Sequence, residues 1–548
     1  MSYRYHLRSF LTLVAIAGTV HATSLSSASS HVQVTLNGTT VIGKHSSDRD
    51  VDFFGGIKYG HAQRFEVAEP YAFSNLTGES INATNFGKAC FQPLFGEGLT
   101  FDDLSDDCLN INIFRPARAQ AKSLPVLIWI YGGAYVQGDS SMYDGANLVA
   151  RSIAQGKPIL FASINYRLGP WGFPQGIAAT TAGLLNLGLK DQLLALQWVQ
   201  DNIEIFGGDP TQVTIVGQSA GGGSIQLHHL NPAADHLFRA SIMQSPSTVP
   251  FFNGTIREAY WAQLSLLAGC PTSLDLRCLQ EVDDEILWNA SLPLFSTVGD
   301  AIRGGDYPFV PNIDGDLILG SPAALESSGS LLRKPFIIGT NLDEGTTFAP
   351  FGLQNESDFL AFLASNTNPL AGAEVVGATP TVLALYPDMP SLYGPAAANE
   401  GFPLGAQFTR ASAVAADAGF LEPVRFFAQA AVNNSDSDVY VYRFSAQESV
   451  TNASLGVTHG VELPFLFEAD KYDDALSNAL AEAWIGFVVD LEPSIRLNGR
   501  SAQWPRYTSD DGQVVEFVGG KQEAHLIPDT FELNRTDFIA ANPDIFAH

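Results

Sequence analysis

The 548-residue chain is poor in cysteine, methionine and charge: it holds 4 Cys and 4 Met, and charged residues make up only 16%. So small a charged fraction, beside 46% hydrophobic residues, excludes a disordered chain and leaves apolar material for a large core. Positive charge is scarcer still, with 29 Lys and Arg against 57 Asp and Glu and a formal net charge of -28. A surface that negative repels both a phosphate backbone and an anionic lipid face, which argues against nucleic-acid binding and acidic-membrane adhesion. It suits solubility and uncharged substrates. Beyond the N-terminal stretch, no run approaches the ~18 apolar residues of a transmembrane helix, so no transmembrane anchor is expected. No cysteines are spaced Cys-X-X-Cys, and no metal or cofactor is expected. Internal repeats, low-complexity blocks and long linkers are also missing, which favours one large domain.

What is present at the start of the chain reads as an export signal. Arg4 and Arg8 supply positive charge, Phe10 to Val20 is apolar, and Ala22 offers a small residue for cleavage. The expected organisation is a signal peptide over 1–22 and a single domain over 23–548, with Ser24 to Ser30 a flexible mature N-terminus. Secretion to the extracellular space fits the Asn-X-Ser/Thr sites at Asn37, Asn75, Asn82, Asn253, Asn289, Asn355, Asn433, Asn452 and Asn534, which would carry N-glycans. The four cysteines group as near neighbours, Cys90 with Cys108 and Cys270 with Cys278, and in an oxidising compartment local disulfides are the natural reading.

Short β-branched or aromatic runs read as buried strands: Val126 to Tyr131, Ile159 to Ile164, Val213 to Val216, Phe336 to Ile338 and Val439 to Phe444. Leu189 to Phe206 repeats its apolar residues near a 3.6 spacing and reads as a helix. Strands alternating with helices predict an α/β fold, a mostly parallel sheet covered on both faces.

The most informative segment is Val213-Thr-Ile-Val-Gly217-Gln-Ser219-Ala-Gly221. A buried strand runs into Gly-X-Ser-X-Gly and a helix follows. So sharp a turn demands small neighbours and lifts the Ser219 hydroxyl to a helix N-terminus, where aligned N–H groups favour developing negative charge. Ser219 is therefore the candidate nucleophile. A serine hydroxyl needs a base to take its proton, and in this architecture the chain order is Ser, acid, His. His228, His229 and His236 follow the serine too closely. His459, His525 and His548 remain; the last is terminal, and His459, in a loop after a strand, is favoured over His525 in a polar stretch near the end. For the acid, Phe336 to Gly339 runs into Asp343-Glu344-Gly345, at a strand's carboxyl end where α/β sites form. The residues alone do not separate Asp343 from Glu344. Val126 to Tyr131 runs into Gly132-Gly133-Ala134, so the N–H groups of Gly133 and Ala134, with that of Ala220 after the serine, are candidate oxyanion donors.

These residues resemble the type-B carboxylesterase/lipase family, which includes cholinesterases, liver-type carboxylesterases and secreted fungal lipases. The resemblance rests on Phe54-Gly-Gly-Ile57, Ser105-Asp-Asp-Cys-Leu109, Asn165-Tyr-Arg-Leu-Gly-Pro-Trp-Gly-Phe173, Gly188-Leu-Lys-Asp-Gln192, Asn202-Ile-Glu-Ile-Phe-Gly-Gly-Asp-Pro210, Gly217-Gln-Ser-Ala-Gly221, Asp343-Glu-Gly345 and His459-Gly-Val-Glu462. It implies the α/β-hydrolase fold, a Ser-His-Glu triad with Glu344 as the acid, disulfides Cys90–Cys108 and Cys270–Cys278, and a buried Arg167–Asp191 ion pair. The activity it implies is hydrolysis of a small-molecule ester or lipid through an acyl-enzyme, without a cofactor. The chain departs from the family at Ala134, where a third glycine is usual, and at Asp106, where the family has Glu. Residues 91–107 contain no tryptophan, which disfavours a choline ester, since cation–π capture needs that ring. This loop is short beside the lid of lid-bearing lipases, which leans the reading toward an esterase over a lipase, sterol esterase or feruloyl esterase. Leu94, Phe95, Leu99 and Phe101 make it apolar, either as a cleft wall or as ordinary packing. The rival from another class is a non-catalytic binding protein on the same fold.

Overall fold

The computed structural model describes residues 31–546 except 95–97, 118–122, 248–253, 273–275, 303–307, 366, 369–370, 396–397, 399–403, 436, 469–474, 498 and 521–522. The expected signal peptide, the Ser24 to Ser30 segment, Phe95, Asn253 and His548 lie outside the described residues.

The strands that build the main sheet are β1 (His31–Leu36), β2 (Thr39–Ser46), β3 (Val51–Lys58), β4 (Asn110–Pro116), β5 (Leu124–Ile130), β6 (Leu160–Ile164), β7 (Gly208–Gln218), β8 (Ala240–Gln244), β9 (Phe336–Asn341), β10 (Val439–Phe444), β11 (Ser494–Leu497), β12 (Arg500–Gln503), β13 (Gln513–Gly519) and β14 (Glu523–Pro528). They lie in the order β1-β2-β3-β4-β6-β5-β7-β8-β9-β10-β13-β14-β11-β12. The run from β6 to β13 is parallel, and antiparallel ribbons close both ends. Val126, Leu127, Ile128, Trp129 and Ile130 of β5, like Val213, Thr214, Ile215 and Val216 of β7, are buried in succession, the pattern of strands covered on both faces. Each valine, leucine or isoleucine among them contributes about 1.5–3 kcal/mol by leaving water.

Helices cover the sheet: α1 (Gly145–Ala154), α2 (Leu187–Asn202), α3 (Ala220–His229), α4 (Phe408–Ala416), α5 (Glu422–Asn434), α6 (Ala475–Asp490) and α7 (Leu533–Ala540) among them. α2 buries Leu189, Ala195, Leu196 and Val199 and ends in a 3₁₀ turn over Ile203–Phe206, so the predicted helix is real but closes in a tighter turn. α6, made mostly of Ala, Leu, Ile and Val, packs against β5 and β7. Arg167 and Asp191 form the expected buried pair: Nε and Nη2 donate to Oδ2 and Oδ1 at 2.8 and 2.7 Å. That bidentate grip fixes the segment after β6 to α2. Cys90 is joined to Cys108 and Cys270 to Cys278. No described helix is long and apolar enough to cross a membrane.

This is the α/β-hydrolase arrangement, and its order places the site. From β5 the chain moves out to β6 on one side, then returns past β5 to β7 on the other. That reversal opens a crevice at the carboxyl ends of the strands, where α/β sheets bind ligands. Ile130 pairs with Gly217, Gln218 with Gln244 and Gln244 with Gly339, so neighbouring strands deliver their ends to one level.

Candidate active site

Ser219 sits between the end of β7 and the start of α3, with φ 56° and ψ −126°. A non-glycine residue in this region stores of order 1–3 kcal/mol of strain and persists only where its surroundings enforce it. Here the enforcement is steric. A Cβ at Gly221 would stand 2.1 Å from the Ile130 carbonyl, and one at Gly217 would stand 2.7 Å from the backbone of Gly221. The two glycines let strand, turn and helix close on each other, and Ser219 N–H donates to the Gln244 carbonyl of β8 at 2.9 Å. As the residue that caps α3, Ser219 lies at the positive end of that helix.

His459 and Glu344 meet. Nδ1 of His459 lies 2.5 Å from Oε2 of Glu344. The other carboxylate oxygen accepts from Ser245 Oγ at 2.5 Å and from the Asn341 N–H at 2.6 Å. Glu344 is 1% exposed, so these donors replace water around its charge. Asp343, its neighbour, faces another way. Its carboxylate accepts from Val457 N–H at 2.8 Å and thereby ties down the loop that carries His459. Burial pushes the Asp343 carboxyl up, against the downward pull of that donor. Of these two carboxylates, the one in contact with His459 is Glu344.

The far nitrogen of His459, Nε2, lies 3.0 Å from the Gln218 side-chain nitrogen, one residue before Ser219. Ser219 Oγ makes no hydrogen bond to any described residue, so the structure brings the imidazole to the elbow without joining it to the hydroxyl. Opposite lies the turn after β5. Gly133, Ala134 and Tyr135 all have positive φ, at 110°, 56° and 63°. A Cβ at Gly133 would stand 2.1 Å from the Gln137 carbonyl. The N–H groups of Gly133 and Ala134 donate to no described residue, and Ala220, first in α3, has no acceptor within its helix. Three unengaged donors thus flank the serine.

The Carboxylesterase family model matches residues 29–535. The chain belongs to that family. It is a carboxylic ester hydrolase of the carboxylesterase/lipase kind. Among similar proteins are Lipase 2 of Geotrichum candidum, 30% identical over 88% of this chain and 91% of the relative, and Secreted lipase 1 of Botryotinia fuckeliana, 34% identical over 86% and 82%. Among solved structures, EstA of Aspergillus niger superposes with a TM-score of 0.78 at 26% identity, covering 94% of this chain and 98% of its own. A thermophilic PNB esterase gives 0.73 at 28% identity over 92% and 99%.

Around the carboxylesterase's histidine, two rings close in. Phe420 lies 4.8 Å and Phe348 5.1 Å from the imidazole, centroid to centroid. Phe420 comes from a π-helical turn, Asp417–Leu421, between α4 and α5. Such turns are frequent at functional sites. Behind Glu344, Glu462 accepts from Asn341 Nδ2 at 2.7 Å and Gln244 Nε2 at 3.2 Å, and Asn341 also donates to the Thr458 carbonyl at 2.9 Å. Sequence reasoning misses Ser245, Asn341, Gln244 and Gln218. Their common signal is position, at or just past the carboxyl end of β7, β8 or β9.

The alternative base is occupied elsewhere. His525 Nε2 lies 2.7 Å from Glu516, its cross-strand partner between β13 and β14. His228 and His229 are buried, bonded to Gln192 and Ser241, and burial pushes them down to about 4 and about 3. Within the first disulfide loop, Leu94, Leu99 and Phe101 pack on the core around Trp171 and Trp261, and Trp288 donates to the Gln92 carbonyl at 2.8 Å. All three are half-buried, and the same core includes Tyr135, Val136 and Ala220 beside the serine, so packing and a place near the cleft are not alternatives for them.

Proposed function

We propose that this carboxylesterase works by a Ser219–His459–Glu344 triad through an acyl-enzyme, and that it is exported with its N-terminal 22 residues removed as a signal peptide. The observation that carries the triad is the 2.5 Å contact of His459 Nδ1 with a fully enclosed Glu344, beside a serine on a strained elbow. Glu344 accepts the Nδ1 proton and leaves Nε2 with its lone pair. As Ser219 attacks the ester carbonyl, Nε2 takes the hydroxyl proton. The oxyanion then lies among the N–H groups of Gly133, Ala134 and Ala220. His459 returns the proton to the leaving alcohol, then draws one from the water that releases the acid. The strained backbone at Ala134 and Ser219 is held before substrate arrives, so these donors need little reorganisation.

Ser219→Ala is expected to lose about 10⁴–10⁶ of kcat with an unchanged thermal midpoint. Near-normal turnover by that variant rejects the triad. Labelling of the serine by an organophosphate separates the enzyme from a non-catalytic binding protein. Export is supported by relatives named as secreted lipases and by exposed sequon asparagines at Asn37, Asn75, Asn82, Asn289, Asn355, Asn433 and Asn534. A single domain over 23–548 is supported by one continuous sheet.

For substrate, the short, packed first disulfide loop favours an esterase on soluble esters. A lipase reading has its own support in relatives named as lipases, one of them a secreted triacylglycerol lipase of Gibberella zeae. Measuring kcat/KM across p-nitrophenyl esters from short to long chains, together with methyl ferulate, decides between them. An optimum among short chains is expected. An optimum at the longest chains overturns the esterase choice.

A further inference from the structure

His459 has one lone pair to offer. Its Nδ1 proton is committed to Glu344, so Nε2 is an acceptor, and the group that faces it is the side-chain amide of Gln218 at 3.0 Å. An N–H donated there occupies the electron pair that the Ser219 proton needs. The amide is enclosed: Gln218 is 5% exposed. A glycine makes its place. A Cβ on Gly132 would stand 3.0 Å from Gln218 Oε1 and 2.8 Å from the Ser219 Cβ, while one on Gly460 would touch Gln218 Nε2 at an ordinary 3.7 Å, so Gly132 is the one that makes room. The charged groups facing the imidazole are Glu344 from the turn after β9 and Glu462 from its own loop, while Phe348 and Phe420 present only rings.

We propose that Gln218 is a positioning residue that holds the neutral imidazole toward the elbow by donating to Nε2, and surrenders that lone pair to the Ser219 hydroxyl when substrate enters. This rests on the triad reading given above. A donor to Nε2 stabilises the neutral ring alone, because the imidazolium carries a proton at that atom. A carboxylate in the same place would do the reverse, accepting from Nε2–H and favouring the imidazolium.

The test is an NMR titration of the His459 ring in the Ser219→Ala background, where no turnover is needed, with Gln218→Leu and the near-isosteric Gln218→Glu. Gln218→Leu is expected to raise the His459 pKa by about half a unit, and Gln218→Glu by about one unit or more. With Ser219 present, the acid limb of kcat/KM is expected to move by the same amounts. A role in packing alone changes the thermal midpoint and leaves the titration in Gln218→Leu in place, whereas the carboxylate of Gln218→Glu favours the imidazolium in either case. An unmoved titration in Gln218→Leu, or in Gln218→Met should the leucine variant not fold, overturns the assignment of Gln218. Retained activity in Ser219→Ala instead overturns the triad itself, and the two failures are read separately.

Discussion

Ser245 shows what single residues do here. It holds φ 43° and spends its hydroxyl on Glu344 at 2.5 Å, one strand over from the elbow. A hydrogen bond to a buried charge is worth about 1.5–3 kcal/mol. Ser245→Ala is therefore expected to lower kcat about tenfold or more with little change in KM, measured by steady-state kinetics with a p-nitrophenyl ester. A loss seen only in KM would mean that the serine shapes the pocket instead. The Asp343–Glu344 pair marks the limit of sequence reading at this scale. Both are carboxylates at one strand end, and only the backbone geometry of Asp343, at φ −116° and ψ 41°, turns the first toward Val457 and the second toward His459.

Among elements, the buried parallel strands were the most legible, because a strand enclosed on both faces must be apolar along its length. β10 has the bounds its sequence suggests, Val439–Phe444, and β9 extends three residues further than its apolar run, to Asn341. β1 and β2 were not legible. β1 alternates exposed with half-exposed residues and β2 half-exposed with buried ones, and they carry His, Gln, Thr and Lys, so their pairing comes from neighbours rather than from apolar content. The π-helical turn was equally hidden, since its cause is tertiary. Asp417 at its start accepts from Tyr386 Oη at 2.8 Å and ion-pairs with Arg535 of α7 at 2.8 Å. The turn so anchored aims Phe420 at the imidazole. An aromatic pair adds about 0.5–1.5 kcal/mol beyond burial, so Phe420→Leu is expected to lower kcat/KM about two- to tenfold with a nearly native melting curve. An unchanged kcat/KM would show the ring to be mere filling.

Across the whole molecule, buried ionisable groups set the response to pH. Burial pushes Glu326, bonded to Gln226 of α3, and Glu422 of α5 up to about 8, and Asp417 up to about 7. Groups raised in the fold give stability that is complete below their unfolded values, near 4.5 for Glu and 3.8 for Asp, and is lost as pH rises through about 7 to 8. His228 and His229, lowered by burial, act oppositely, and their contribution disappears as pH falls below 6.5. Above that value only the carboxyl groups still lose ground, and the net charge of -28 adds its own repulsion. The thermal midpoint is expected to drop between about pH 6.5 and about pH 8.5, with a shallower drop in Glu326→Gln; equal slopes in the two proteins would remove Glu326 from the explanation. The sheet order bears on how such an enzyme diversifies. The proposed oxyanion loop, nucleophile, hydroxyl partner of Glu344, acid and base hang from β5, β7, β8, β9 and β10 in that spatial sequence, one reagent to a peg. The long excursions between pegs, from 246 to 335 and from 345 to 438, can therefore be rewritten for a new ester while every reagent stays where it hangs.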